Sequence, residues 1–149
     1  MSVPFPLKQL TCLFKALSDP TCLRIVNLLD AQSLWVGDLQ ELLGLSQPRV
    51  SGHLAILRAA NLVRTRRQGT RVCYSLSRAP FLSYPLHKFL SEMVPFFPEL
   101  RADVQNLQEL KGNGRLKSDR PSRLSDSERP AAGLRNDAKE GEKSLGGVR

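Results

Sequence analysis

A short stretch between residues 46 and 53 carries polar side chains of the kinds that read bases in duplex DNA. Glutamine can pair with adenine through two hydrogen bonds, arginine can do so with guanine, and serine pairs with either base. A helix that begins here would also offer free backbone N–H groups to a phosphate. The candidate residues are Ser46, Gln47, Arg49, Ser51 and His53. Their types favour contact with the major groove, which admits one α-helix.

Basic residues continue beyond this stretch without an acidic neighbour. Glu41 and Glu92 enclose fifty residues that include eight basic residues and no acidic one. The arginines that we expect to contact DNA are Arg58, Arg64, Arg66, Arg67 and Arg71. Those between residues 64 and 71 are expected at phosphates or in the minor groove, where contacts position a protein more than they select sequence. The charge alone also fits an ordinary solvated basic surface.

Three cysteines, Cys12, Cys22 and Cys73, could react with an oxidant or a soft metal. Their odd number and wide spacing do not form a disulfide framework. Cys12 and Cys22 are candidate sensing thiols, for an oxidant or an arsenical, if Lys15 and Arg24 lower their pKa values. The alternative is that both are buried, inert structural thiols. We interpret Cys73 as a packing residue.

The thiols are not the only possible sensor. DNA binding could instead be regulated by a small organic ligand at a dimer interface near Trp35 or the pair Phe96-Phe97, or by no ligand at all. His53 is better explained by a contact with DNA or a helix cap than by a metal, because no second ligand lies near it in sequence. The chain has two histidines, no zinc-binding His-Glu pair and no phosphate loop, so we expect no enzyme activity, no metal and no cofactor.

Helical periodicity predicts the first half of the scaffold. Apolar residues at helical spacing place a first helix over residues 6–17. Asp19 is a favourable N-cap, and Pro20 suits the first turn of a second helix that runs to about residue 31.

The next segment has the pattern of a helix-turn-helix. A short third helix over residues 38–43 ends at Gly44, where a left-handed residue commonly closes a helix. Ser46 is then expected to cap a fourth helix. Three apolar residues would hold that helix on the core: Val50, Leu54 and Leu57.

After Asn61 the hydrophobic period changes from 3.6 residues to two. Apolar and polar residues alternate over residues 63–67 and 72–76, on either side of the glycine turn at residues 68–70. This pattern predicts a β-hairpin, which after a helix-turn-helix forms a wing. The expected fold is mainly α with a small β-hairpin, a winged helix-turn-helix in the order helix-helix-helix-helix-strand-strand-helix.

Helical periodicity returns at Pro80 and is interrupted by Pro95 and Pro98, which predicts a last helix broken near residues 95–97. Its spare apolar surface, with the first helix, is the candidate dimer interface. We expect one DNA-binding and dimerisation domain over residues 1–110. Residues 111–149 lack aromatic residues and are rich in charge, which predicts a disordered basic tail.

The segment Leu13–Leu76 resembles the ArsR/SmtB family of winged-helix repressors. The resemblance lies in residues 14–20, 45–58 and 62–76, and its most specific part is the run Ser46–Ser51. It implies a homodimer joined through the first and last helices, and a repressor that an inducer releases from its operator. It also implies that Gln47, Arg49 and Ser51 face DNA.

The sequence departs from the family at three places. Metal-sensing members often carry Cys-Val-Cys-Asp-Leu in the third helix, whereas residues 35–39 here read Trp-Val-Gly-Asp-Leu, without the thiolates that a soft metal requires. The family's other metal site uses Asp and His pairs on the last helix, where this chain has only His87, sixteen residues from Asp103. Gly52 replaces a longer side chain that many members direct toward the bases.

The sequence therefore leaves two function classes open, and double-stranded DNA is the expected partner in both. The first is a sequence-specific regulator, a homodimeric repressor released by a thiol-reactive, arsenical or small organic inducer. The alternative is a nonspecific nucleic-acid-binding or chromatin-organising protein without an inducer, for which the basic tail is the argument. The longest apolar runs are too short to span a bilayer, and no signal peptide opens the chain, so a cytoplasmic location is expected.

Overall fold

Helices make up most of the described residues, and one small sheet accompanies them. The computed structural model describes residues 6–77 and 80–117. In chain order the elements are α1 (Leu7–Leu17), α2 (Pro20–Ala31), β1 (Leu34–Trp35), α3 (Val36–Leu43), α4 (Gln47–Ala59), β2 (Val63–Gln68), β3 (Arg71–Leu76), α5 (Pro80–Met93), a 3₁₀ turn (Val94–Phe96) and α6 (Pro98–Gly112). The predicted winged helix-turn-helix is confirmed, including the break in the last helix, and the structure adds β1.

The junction between α1 and α2 is set by its sequence. Asp19 has extended backbone angles, and its carboxylate accepts a hydrogen bond from the backbone N–H of Cys22 at 2.8 Å. Pro20 follows at the start of α2, where a missing N–H costs nothing. The predicted N-cap is confirmed, and such a cap typically stabilises a protein by about 1 kcal/mol.

The turn between α3 and α4 also follows its local sequence. Gly44 has a φ of 64°, the left-handed conformation that favours glycine, and its N–H donates to the carbonyl of Gln40 at 2.9 Å. Ser46 occupies the N-cap position of α4 as predicted. The expectation of a side-chain cap was wrong, because the Ser46 hydroxyl makes no hydrogen bond with the first turn of α4.

The predicted hairpin forms with a shorter turn than expected, because Gln68 is paired in β2, and it gains a third strand. Val63 lies opposite Leu76 and Gln68 opposite Arg71, with Gly69 in the turn at a φ of 61°. The two-residue strand β1 pairs with β3 on its other side, which gives the order β1-β3-β2. This pairing holds Trp35 opposite Cys73 and fixes the wing against the start of α3.

The C-terminal helices pack back onto the N-terminal ones. The 3₁₀ turn separates α5 from α6 at the predicted break. Arg24 of α2 forms an ion pair with Asp103 of α6, and the Asn27 side chain donates to the carbonyl of Leu100 at 3.1 Å. Because the polar side chains at this contact have hydrogen-bonding partners, α2 can bury its inward face against α6.

Ordered structure continues beyond the boundary predicted at residue 110. Helix α6 extends to Gly112, Leu116 is only 1% exposed, and the backbone N–H of Lys117 donates to the buried carboxylate of Asp38 at 2.8 Å. Residues 118–149 of the predicted disordered tail lie outside the described residues. In the described ranges, no helix has both the length and the apolar character needed to cross a membrane.

Candidate nucleic-acid interface

Helix α4 has one face that packs into the core and one face that is exposed to solvent. Its inward side chains lie in the core, each almost without solvent contact: Val50, Leu54 and Leu57. The residues that the sequence marked as base-reading candidates are exposed at its N-terminal end: Ser46, Gln47, Arg49 and Ser51. The core contacts fix the rotation of α4, so these polar residues are presented to solvent on a rigid element.

The outward face of α4 includes Gly52. A β-carbon at this residue would meet no atom within 4 Å, so no close approach of neighbouring groups requires a glycine there. Arg58 is exposed as well, but it lies in the last turn of α4, about 14 Å along the axis from Arg49. Arg58 can therefore contact a phosphate only some distance from the bases that Arg49 would read.

The hairpin carries the remaining arginines. All four are exposed: Arg64, Arg66, Arg67 and Arg71. The Arg71 guanidinium lies over the ring of Trp35, 5.2 Å from its centroid, an attractive cation–π distance. Because these guanidinium groups are exposed, their charge can act on a polyanion.

His53 is placed differently from the other candidates on α4. Its ring nitrogen Nδ1 lies 3.3 Å from an oxygen of Asp19 and 3.5 Å from the sulfur of Cys22, and its side chain is only 20% exposed. The hydrogen bond from the Cys22 backbone is the main cause that holds the pKa of Asp19 below its ordinary value, and the nearby His53 acts in the same direction. His53 therefore directs Nδ1 to the N-terminus of α2, and its contact with DNA stays a prediction.

The cluster of Asp19, Cys22 and His53 was not anticipated from the sequence. Asp19 and Cys22 are three residues apart at a helix start, a visible signal, but His53 joins them from 31 residues further along the chain. No second ligand lies near His53 in sequence, but the fold brings Asp19 and Cys22 to it.

The two candidate sensing thiols have opposite environments. Cys12 is exposed on α1, whereas Cys22 is completely buried. Burial is the main cause that raises the pKa of Cys22 to about 12, and the adjacent carboxylate of Asp19 adds to it. A thiol sensor needs a lowered pKa, so the structure favours the alternative of a protonated, inert Cys22. Burial also raises the pKa of Cys73, in keeping with its interpretation as a packing residue.

The two regions considered for an organic ligand also differ. Trp35 borders a cavity of about 360 Å³ that Gln47, Arg71 and Lys117 also line, so this cavity opens within the candidate DNA face. Lys117 adds a basic group that lay beyond the predicted domain. Phe97, which is exposed, instead lines an apolar groove of about 350 Å³ between the start of α2 and helices α5 and α6.

Known proteins resemble this chain across the segment that builds the interface. Residues 19–65 match the family described as "Bacterial regulatory protein, arsR family". The transcriptional repressor SdpR of Bacillus subtilis is 41% identical over 64 residues, which are 43% of this chain and 71% of that protein. An arsenical resistance operon repressor of Staphylococcus xylosus is 40% identical over 77 residues, 52% of this chain and 73% of that one.

A solved structure agrees with these sequence relatives. Reduced HlyU from Vibrio cholerae superposes with a TM-score of 0.52 at 31% sequence identity, over 61% of this chain and 90% of that chain. The similarity therefore covers the α4 segment and the beginning of the wing, where the exposed polar and basic side chains lie.

Proposed function

The chain belongs to the ArsR family of bacterial regulatory proteins, and we propose that it represses transcription by binding a double-stranded DNA operator. The observation that supports this most strongly is the outward face of α4, where Gln47, Arg49 and Ser51 are exposed beside an arginine-rich hairpin. The proposal includes no enzymatic activity, and it places the protein in the cytoplasm with its operator.

The two surfaces have separate roles in this proposal. Gln47, Arg49 and Ser51 enter the major groove and hydrogen-bond base edges, which selects the sequence. The hairpin arginines contact phosphates or the minor groove, which supplies affinity that depends on salt. The contact of the Arg71 guanidinium with the Trp35 ring helps to hold the wing against the start of α3.

We propose that the repressor is a homodimer joined through α1 and the last helices. Large apolar side chains are exposed on α1, namely Leu7, Leu10 and Phe14, and others are exposed between residues 89 and 97, namely Phe89, Phe96 and Phe97. Large exposed apolar side chains of this kind favour an interface where they form a patch. A two-fold dimer would present two α4 helices to half-sites about one helical turn apart.

We propose further that an inducer releases the operator, with a thiol-reactive compound, an arsenical and a small organic molecule as the three classes. Cys22 is a poor reactive thiol because it is buried and its pKa is raised. The apolar groove beside Phe97 is suited to an organic ligand, since its other lining residues include Leu23, Phe89 and Met93. Comparing operator release by arsenite, an oxidant and apolar compounds in Cys12→Ser and Cys22→Ser variants distinguishes the classes.

Selection of bound duplexes from a random DNA pool tests the proposal. A sequence-specific dimeric repressor should enrich an inverted repeat with half-sites about one helical turn apart. Enrichment of a single half-site would support specific binding without the dimer. A pool that stays random over successive rounds would instead support the nonspecific nucleic-acid-binding alternative.

A further inference from the structure

Three side chains capable of binding a metal converge where α2 and α4 meet. One oxygen of Asp19, the sulfur of Cys22 and Nδ1 of His53 all lie within 4.8 Å of one another. In the described part of the chain, this is the only group of three or more such residues. We propose that Asp19, Cys22 and His53 form a binding site for a divalent cation of the zinc class, with a fourth position open to water.

The spacing of the three donors fits a tetrahedral centre. Ligands about 2.0–2.1 Å from a zinc ion lie about 3.3 Å apart at tetrahedral angles, and a sulfur at about 2.3 Å lies about 3.6 Å from a nitrogen. The observed distances from Nδ1 of His53 are 3.3 Å to Asp19 and 3.5 Å to Cys22. Both distances from His53 are therefore compatible with a cation held between these atoms, and the oxygen of Asp19 and the sulfur of Cys22 lie within 4.8 Å of each other.

A second histidine–aspartate pair in the fold makes the contrast clear. Nδ1 of His87 lies 2.8 Å from an oxygen of Asp30, the usual length of a direct charge-assisted hydrogen bond. The corresponding distance between His53 and Asp19 is longer by half an ångström, and the sulfur of Cys22 lies beside that pair, 3.5 Å from Nδ1 of His53. The His87–Asp30 pair thus provides a matched control within the same protein.

The donor set and its charge determine which cation fits. One sulfur, one imidazole nitrogen and one carboxylate oxygen suit zinc or cobalt better than magnesium or calcium, which prefer oxygen ligands. A thiolate and a carboxylate together balance the charge of a divalent cation. When the metal binds, the S–H bond of Cys22 breaks, a metal–sulfur bond forms, and the proton passes to solvent.

Access to the site is through Asp19 and His53. The Asp19 side chain is 39% exposed, whereas Cys22 is completely buried. A cation would enter from the solvent side and would keep its water on the exposed face. It would also link the N-terminus of α2 to the proposed DNA-reading helix. The proposal concerns metal binding alone and does not depend on any DNA contact.

Cobalt binding to the full, reduced chain tests the site, because tetrahedral cobalt has visible d–d bands and a thiolate ligand adds a near-ultraviolet charge-transfer band. We expect one cobalt per chain, a thiolate band, and displacement by zinc. Cys22→Ser should abolish the thiolate band, and His53→Gln should lower cobalt affinity at least tenfold. The controls Cys12→Ser, Cys73→Ser and His87→Gln should leave both unchanged.

Two outcomes of the cobalt experiment would overturn the site. One is a wild-type chain that binds no cobalt or shows no thiolate band, which would mean that the three groups form hydrogen bonds only. The other is loss of the band in Cys12→Ser or Cys73→Ser with Cys22→Ser unaffected. X-ray absorption of the zinc-loaded wild type avoids any folding defect of a variant. It should show one sulfur at about 2.3 Å, and a shell of only nitrogen and oxygen would also overturn the proposal.

Discussion

Arg24 of α2 and Asp103 of α6 form a two-pronged ion pair, with Nε and Nη2 of the guanidinium 2.8 and 2.7 Å from the two carboxylate oxygens. The two partners differ in exposure, because the Asp103 side chain is 2% exposed and that of Arg24 is 31% exposed. The hydrogen bonds to Asp103 raise the pKa of Arg24. This pair joins two helices through residues that are 79 positions apart in sequence, so it should contribute to the stability of the whole scaffold.

The unequal exposure predicts unequal effects of removing each partner. Arg24→Met leaves a buried carboxylate without its counter-charge and should lower the free energy of unfolding by about 2–3 kcal/mol. Asp103→Leu should cost less, since Arg24 can turn toward solvent, and the double variant should recover part of the loss. Denaturant titration of the three variants measures the effect. Equal losses from the single variants, with no recovery in the double variant, would argue against this view.

Two glycines that flank the start of α4 should respond in opposite ways to alanine. Gly52→Ala should stabilise the fold by about 0.5–1 kcal/mol, because alanine favours a helix and a β-carbon there meets no atom within 4 Å. Gly44→Ala is the matched control and should destabilise by about 1 kcal/mol, because its φ is 64°. Thermal unfolding measures both. Destabilisation by Gly52→Ala would show that this glycine has a structural role.

The three cysteines should differ in their rates of alkylation at pH 8. Exposed Cys12 should react first, half-buried Cys73 more slowly, and buried Cys22 only after unfolding, because its pKa is about 12 and reaction requires the thiolate. Mass spectrometry of peptides taken over time gives the order, and denatured protein provides the reference in which all three react. Modification of native Cys22 as rapidly as Cys12 would contradict the buried environment.

Replacing one side chain on each proposed DNA-contacting surface should separate their roles. Gln47→Ala should weaken binding mainly through one base pair, by about 1–3 kcal/mol. Arg67→Ala should weaken binding to all sequences alike. It should also make the slope of the logarithm of the binding constant against the logarithm of salt concentration shallower by about one. Fluorescence anisotropy with single-base operator variants at several salt concentrations measures both effects. Identical losses on every duplex from the two changes would contradict the division.

Local sequence signals were sufficient for most of the fold. The cap at Asp19, the left-handed turn at Gly44 and the hairpin around Gly69 each depend on residues close in sequence, so they could be predicted from spacing and residue type. Strand β1 could not, because two residues are too few for a period and its partner Tyr74 lies forty residues away. Leu116 was missed because an isolated leucine in a polar segment carries no periodicity.

The candidate site shows the same division. The outward position of Gln47 and Arg49 follows from the helical period that buries Val50 and Leu54. The environment of His53 depends instead on how α4 packs against the start of α2, which is tertiary information. A sequence period assigns a residue to a face of its helix, but it does not identify the neighbour that the face meets.

The most direct measurement is the ratio of the dissociation constants for a selected operator and for a shuffled duplex of equal length, at one salt concentration. The wild-type chain should prefer the operator by about a thousandfold or more. A variant with alanine at Gln47, Arg49 and Ser51 should have a ratio near one, while its affinity for the shuffled duplex changes little. A wild-type ratio near one, or a variant that keeps the full preference, would contradict sequence reading by α4.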